Sequence, residues 1–240
     1  MGEIINMISI NNLCFSYGKK TILADLSLQV KQGTCVGIVG ANGCGKSTLL
    51  SILSGILIPS SGSYFIQNQD VIKHPKLINQ SIGYVPQENP LIPELTVKDN
   101  LSLWYAGSPF SFSQDLKSGI LPQLQINSFL HMPVYKLSGG MKKRVSIALA
   151  LVNHPAMLIL DEPSAALDLI CKKEIHEYLS SYLKTGGTIL FTTHEESELD
   201  LCNVLYVLRN GNLHTIPADT RGNNLLQTLS NTASDGTNIL

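Results

Sequence analysis

Thr34-Cys-Val-Gly-Ile-Val39, followed at once by Gly40-Ala-Asn-Gly-Cys-Gly-Lys-Ser-Thr48, decides the fold. The first six residues form an apolar, largely β-branched run that ends at glycine, which suits a buried strand. The next nine fit the phosphate-loop pattern, and they lie where that pattern belongs, between a strand and a helix. Glycines at this spacing let the backbone curl until successive N–H groups point at phosphate oxygens. Lys46 is placed to reach the β- and γ-phosphates of a nucleotide, and the Ser47 hydroxyl to ligate Mg²⁺. The candidate nucleotide contacts are therefore Gly40, Asn42, Gly43, Cys44 and Gly45 in the loop, with Lys46, Ser47 and Thr48 opening a helix that should run to about Gly55.

On the N-terminal side of this stretch, Ile8 to Phe15 and Leu26 to Val30 read as strands joined by a turn at Ser16 to Lys20, an N-terminal antiparallel pair. Tyr64 to Ile66 and Ile82 to Val85 are further strands. Prolines then recur (Pro90, Pro93, Pro109, Pro122 and Pro133), with helical segments expected over Thr96–Ala106, Ser113–Ile120 and Leu124–Leu130. Residues 88–153 read as an inserted helical subdomain. Beyond it, Met157 to Leu160, Thr188 to Thr192 and Val204 to Leu208 are strands, with a helix over Leu167–Leu183 between the first two. Strands alternating with helices imply a mainly parallel sheet covered on both faces. The fold class expected is an α/β phosphate-loop NTPase. Its main domain covers residues 1–216, and residues 217–240 make a loose tail rich in Asn, Thr, Ser and Gly.

Composition narrows the function. Hydrophobic residues are 44% and charged residues 15% of 240, a globular balance. The formal net charge of -1 gives no footprint for nucleic acid. No apolar run reaches membrane-spanning length, and the N-terminus lacks a secretion signal, so the chain is expected to be soluble and to reach a membrane only through a partner. The five cysteines (Cys14, Cys35, Cys44, Cys171 and Cys202) have no paired short spacing and read as reduced, mostly buried thiols.

Three further strand ends carry candidate chemistry. Met157-Leu-Ile-Leu-Asp-Glu-Pro163 ends in two acids: Asp161 to orient Mg²⁺ and its waters, and Glu162 to polarise an attacking water as general base. An acid next to the metal carboxylate favours water attack over transfer to a substrate hydroxyl. Thr188-Ile-Leu-Phe-Thr-Thr-His194 brings His194 to a third strand end, within reach of the γ-phosphate or Glu162. Gln87, at the entry to the helical insert, offers an amide oxygen to Mg²⁺ or the water. Tyr17, in the turn before the second strand, can stack on a base. Finally, Leu137-Ser-Gly-Gly-Met-Lys-Lys-Arg144 opens another helix with small residues, a second anion-binding helix start. One triphosphate does not need two such starts.

Taken in order, these residues resemble the nucleotide-binding subunit of ATP-binding cassette transporters. Tyr17 matches the family's adenine-stacking aromatic, Gly40–Thr48 its Walker A motif, Gln87 the Q-loop, and Leu137-Ser-Gly-Gly140 the signature motif. Met157–Asp161 matches Walker B, Glu162 the catalytic glutamate, Ser164-Ala-Ala-Leu-Asp168 the D-loop, and His194 the switch histidine. Met141 departs from the pattern, since many members carry Gln there, and a thioether cannot offer that amide's hydrogen bonds. The basic run after Gly140 and the stretch Leu95-Thr-Val-Lys-Asp-Asn-Leu101 are similar to drug and antibiotic exporter cassettes. The resemblance implies a Mg²⁺-dependent ATPase at the cytoplasmic face of the membrane. It would power transport, export favoured over import, through separate transmembrane permease subunits. It also implies a homo- or heterodimer of cassettes in which Ser138, Gly139 and Gly140 face the γ-phosphate held by Lys46 of the other copy. The alternative is a soluble cassette ATPase acting on the ribosome or DNA, a class with fused cassettes or coiled-coil inserts that this chain lacks.

Overall fold

A computed structural model describes residues 6–230. Along the chain the elements are β1 (Asn6–Tyr17), β2 (Lys20–Lys31), β3 (Cys35–Val39), α1 (Lys46–Leu53), β4 (Ser61–Ile66), β5 (Gln69–Asp70), α2 (Lys76–Ser81) and β6 (Ile82–Val85). The helical insert follows with α3 (Val97–Tyr105), α4 (Phe112–Ser118), α5 (Ile120–Gln123), two 3-10 turns and α6 (Gly139–Ala150). Then come β7 (Met157–Asp161), α7 (Leu169–Lys184), β8 (Thr188–Thr192), α8 (Glu196–Leu199), β9 (Val204–Arg209), β10 (Asn212–Ile216) and α9 (Gly222–Ser230).

Two sheets organise these elements. The N-terminal sheet is antiparallel in the order β2-β1-β4-β5, and the larger sheet runs β10-β9-β3-β8-β7-β6. In the larger sheet all neighbours pair in parallel except β10 with β9. Every residue of β3, β7 and β8 is buried, as expected for strands with a layer on each face. One apolar cluster joins α1, through Leu49, Leu50, Ile52 and Leu53, to the N-terminal sheet. A second joins the insert, through Val97, Leu101, Val145 and Ile147, to Leu158, Leu160 and Phe191 of the larger sheet and to α7. The strand ends that carry Val39, Asp161 and Thr192 thus converge on one edge between the two clusters. Ligands of open parallel sheets bind outside the carboxyl ends of the strands.

Some expectations change. The helix expected over 124–130 is a 3-10 turn at Ile126–Phe129 after the short α5, because Gln125 takes a left-handed φ of 55° and interrupts the helix. The strand β10 went unread although Asn210-Gly211, with φ of 49° and 78°, is a two-residue hairpin turn of the favoured kind. The tail expected to be loose from residue 217 instead forms α9. Leu225 buries against Val39, Leu199, Leu205 and Val207, and Arg221 Nε sits 3.1 Å from Asp200. Residues 231–240 of that tail lie outside the described residues. Among the cysteines only Cys35 is fully buried; all five are free thiols, and the other four are partly exposed.

Candidate functional site

The phosphate loop is built by glycine stereochemistry. Gly43 and Gly45 hold φ of 78° and 110°, the latter immediately before α1. With no side chain capping α1, the N–H groups of its first turn are left for a ligand. Lys46 is only 6% exposed. Its ammonium donates to the carbonyls of Gly40, at 2.8 Å, and Ala41, at 3.3 Å, so the charge is held across the mouth of the loop. A cleft of about 470 Å³ opens there, lined by Tyr17, Asn42, Gly43, Ser47, Gln87 and Glu162 among others. Tyr17 is 53% exposed and meets Phe15 edge-on at 4.9 Å, which leaves a ring face free to stack.

The acids occupy the next strand end. Asp161, 3% exposed, accepts a hydrogen bond from the Thr192 hydroxyl at 2.5 Å. That fixes the carboxylate from the adjacent β8. Glu162 has a left-handed φ of 46°, and its N–H donates to Thr192 O at 3.0 Å. The left-handed turn swings the side chain out of the strand and into the cleft. There Gln87 Nε2 donates to Glu162 Oε2 at 3.3 Å, and His194 Nε2 lies 3.7 Å from Glu162 Oε1. Residues 75 apart in the chain, Gln87 and Glu162, thus meet across the cleft mouth. Burial pushes the His194 pKa below its ordinary value, the Lys46 charge pushes the same way, and Glu162 opposes both.

The donors fit a hard divalent cation. A hydroxyl (Ser47), an amide oxygen (Gln87) and a carboxylate (Asp161) are all oxygen ligands. Among the described residues no cluster of three or more His, Cys, Asp or Glu exists that would cage a metal alone. The oxygen donors present fit Mg²⁺, which keeps waters and shares its shell with phosphates.

Three contributors escaped sequence reading. Lys143 on α6 is 3% exposed and donates to the carbonyls of Pro86, at 3.1 Å, and Gln87, at 3.0 Å, tying α6 to the Gln87 turn. Nothing in the run Lys142-Lys143-Arg144 distinguishes it from its partly buried neighbours. Thr192 clamps both acids. Glu198 on α8 is buried and accepts from the Thr193 hydroxyl, next to His194. Burial raises its pKa.

Ser138, Gly139 and Gly140 are not among the residues lining the 470 Å³ cleft. They begin α6 elsewhere, where the Ser138 hydroxyl accepts from Met141 N at 3.2 Å and caps the helix. A larger hollow of about 610 Å³ lies between the insert and α7, around Arg144, Glu174 and Tyr178. It holds no phosphate loop, so the smaller cleft is the candidate site.

Known proteins share this fold and much of this sequence. The family described as ABC transporter matches residues 23–165. The chain is 37% identical over 209 residues to a Nod factor export ATP-binding protein I of Ralstonia nicotianae, covering 85% of this chain and 65% of that one. It is 38% identical over 208 residues to proteins of the same name from Rhizobium etli and Burkholderia orbicola, of which it covers 66% and 68%. The chain thus spans slightly less than two thirds of the length of the first of these relatives. Among solved structures, it matches a dimeric ATP-binding cassette in a post-hydrolysis state bound to ADP and Pi. The TM-score is 0.78 at 28% identity, over 90% of this chain and 100% of that one. It also matches cbiO1 of Clostridium perfringens, part of the ABC transporter complex cbiONQ, with a TM-score of 0.76 at 30% identity over 98% and 95% of the two chains.

Proposed function

The chain belongs to the ABC transporter family, and from that premise we propose that it is the ATP-binding and ATP-hydrolysing subunit of a transporter that exports its cargo through separate membrane-spanning subunits. The observation that carries the reading is the meeting of Gln87, Glu162 and His194 at the mouth of the phosphate-loop cleft. A cleft built only to hold a nucleotide has no use for a carboxylate aimed outward by a left-handed turn.

The roles follow from placement. The free amides of α1 and the loop bind the triphosphate, with Lys46 shifting from the Gly40 and Ala41 carbonyls to the β- and γ-phosphates. Tyr17 stacks on the base. Ser47 and Gln87 would hold Mg²⁺, and Asp161 would orient the waters around it. When bound, the ion would supply neutralisation of the triphosphate's negative charge. Glu162 accepts the proton of the attacking water, and His194 holds Glu162 and the γ-phosphate in line.

Ser138, Gly139 and Gly140 bind across a head-to-tail dimer, at the γ-phosphate of the other copy. Support comes from their place outside the lining of this chain's own cleft and from the dimeric cassette that the fold matches. Loss of the γ-phosphate removes the group both copies grip and reopens the dimer. Among the described residues no helix is long and apolar enough to cross a membrane. Residence at the cytoplasmic face therefore depends on membrane-spanning partners. Export is favoured because the relatives are named for export of Nod factor; which cargo this chain serves is set by those partners.

The test is direct. Purified protein hydrolyses ATP only with Mg²⁺. Glu162→Gln loses about a thousandfold in turnover, the scale on which a positioned general base contributes, yet still binds ATP and accumulates as a dimer on a sizing column. Wild-type turnover in that variant would sink the general-base role.

A further inference from the structure

The turn that opens α6 rests on the start of α7, and the contact leaves no room for a side chain. A Cβ built on Gly140 falls onto Cys171 Sγ and lies 2.7 Å from Cys171 Cβ. A Cβ on Gly139 would stand 3.4 Å from Leu167. Gly140 is buried while Ser138 and Gly139 are exposed, so one side of the turn faces solvent and the other is seated on Leu167 and Cys171.

The seat is held firmly. Asp168 caps α7, its carboxylate accepting from Cys171 N at 2.9 Å, and that hydrogen bond holds the carboxyl pKa below its ordinary value. Upstream, Ala165 N donates to Glu162 O at 3.2 Å and Leu167 N to Ser164 O at 3.3 Å, with Ala166 left-handed at φ 58°. Consecutive turns therefore run from the acid of this chain's own cleft to the residue beneath its glycine turn.

We propose that Cys171 is the positioning residue of the Ser138–Gly140 turn, setting the depth at which that turn meets the partner copy's γ-phosphate. This rests on the cassette-dimer reading above. Cys171 touches no nucleotide; it acts by shape. A larger side chain lifts the turn, as does a methyl on Gly140, and the fault is felt only when two copies close on ATP.

The test is steric complementation in the Glu162→Gln background. ATP-driven dimerisation is read by sedimentation, and ATP affinity is read at concentrations too dilute for dimers. Gly140→Ala is expected to weaken dimerisation about tenfold, equivalent to about 1.4 kcal/mol, with dilute ATP affinity within about twofold of the parent. Adding Cys171→Gly, which clears both crowding atoms, is expected to restore most of that loss. Cys171→Leu, which leaves Gly140 intact, is expected to reproduce the defect and provides the reading should Gly140→Ala fail to fold. A Cys171→Leu protein that dimerises like its parent overturns the proposal. So does a double variant no better than Gly140→Ala, since the glycine is then required on the partner's side. A parent that neither binds ATP nor dimerises overturns the cassette-dimer reading itself, a result distinct from either.

Discussion

Glu162 and His194 show what single residues contribute. Glu162 sits at φ 46°, a left-handed conformation that costs a non-glycine residue roughly 1–2 kcal/mol. The strain aims its carboxylate into the cleft, so Glu162→Gly is expected to abolish hydrolysis while raising stability by about 1 kcal/mol. Urea melts of the two proteins check this, and a clear loss of stability would contradict it. His194 has its pKa lowered by burial and by Lys46. Above the ordinary imidazole value of 6.5 the ring is neutral in both folded and unfolded chain and adds no pH dependence. As pH falls below 6.5, the unfolded chain takes up a proton that the folded one resists, and stability declines. A proton NMR titration without nucleotide should place His194 below 6.5, and adding ATP should move it upward, because phosphate charge opposes that of Lys46. A ring titrating above 6.5 before ATP is added would contradict the assigned environment.

At the scale of elements, helix starts and buried links matter most. The Ser138 cap satisfies Met141 N at the start of α6. Ser138→Ala should cost about 1 kcal/mol of stability. Ser138→Arg should leave dilute ATP binding intact and remove dimerisation, which sizing chromatography with ATP will show. On α8, Glu198 is buried against the Thr193 hydroxyl with its pKa raised. A raised carboxylate stabilises most below its unfolded value, near 4.5, and that stabilisation is lost as pH rises. Glu198→Gln keeps the shape without the charge. It should flatten the fall in melting temperature as pH rises above 4.5; an unchanged slope would mean that Glu198 ionises freely. The strands β3, β7 and β8 were legible from their unbroken apolar runs, and the phosphate loop from its glycines. The turn at Gln125 was not, because it is fixed by what it packs against; α9 was passed over because its Asn, Thr and Gly content reads as a loose tail, although Leu225 and Leu229 stand four apart on its packed face.

For the whole molecule, function depends on two clusters meeting at one sheet edge. The N-terminal cluster holds the phosphate loop through α1, and the insert's cluster holds α6 and Val85, two residues before Gln87. Lys143, reaching from α6 to the Pro86 and Gln87 carbonyls, links the insert to the cleft. The third, smaller cluster around Leu225 closes the C-terminal side. Leu225→Ala should therefore destabilise the fold by about 2–3 kcal/mol, within the range for buried leucine truncation; a melting temperature equal to the wild type would show α9 to be dispensable. The phosphate loop, the acids and histidine at strand ends, and the second glycine turn are legible along the chain, because each is written in adjacent residues. Packing alone brings Gln87 to Glu162 and Thr192 to Asp161, buries Lys143 more deeply than Lys142, and lays Cys171 beneath Gly140. Those contacts join residues far apart in sequence. They are set by how helices and sheet pack together, a constraint that no local pattern of residues carries.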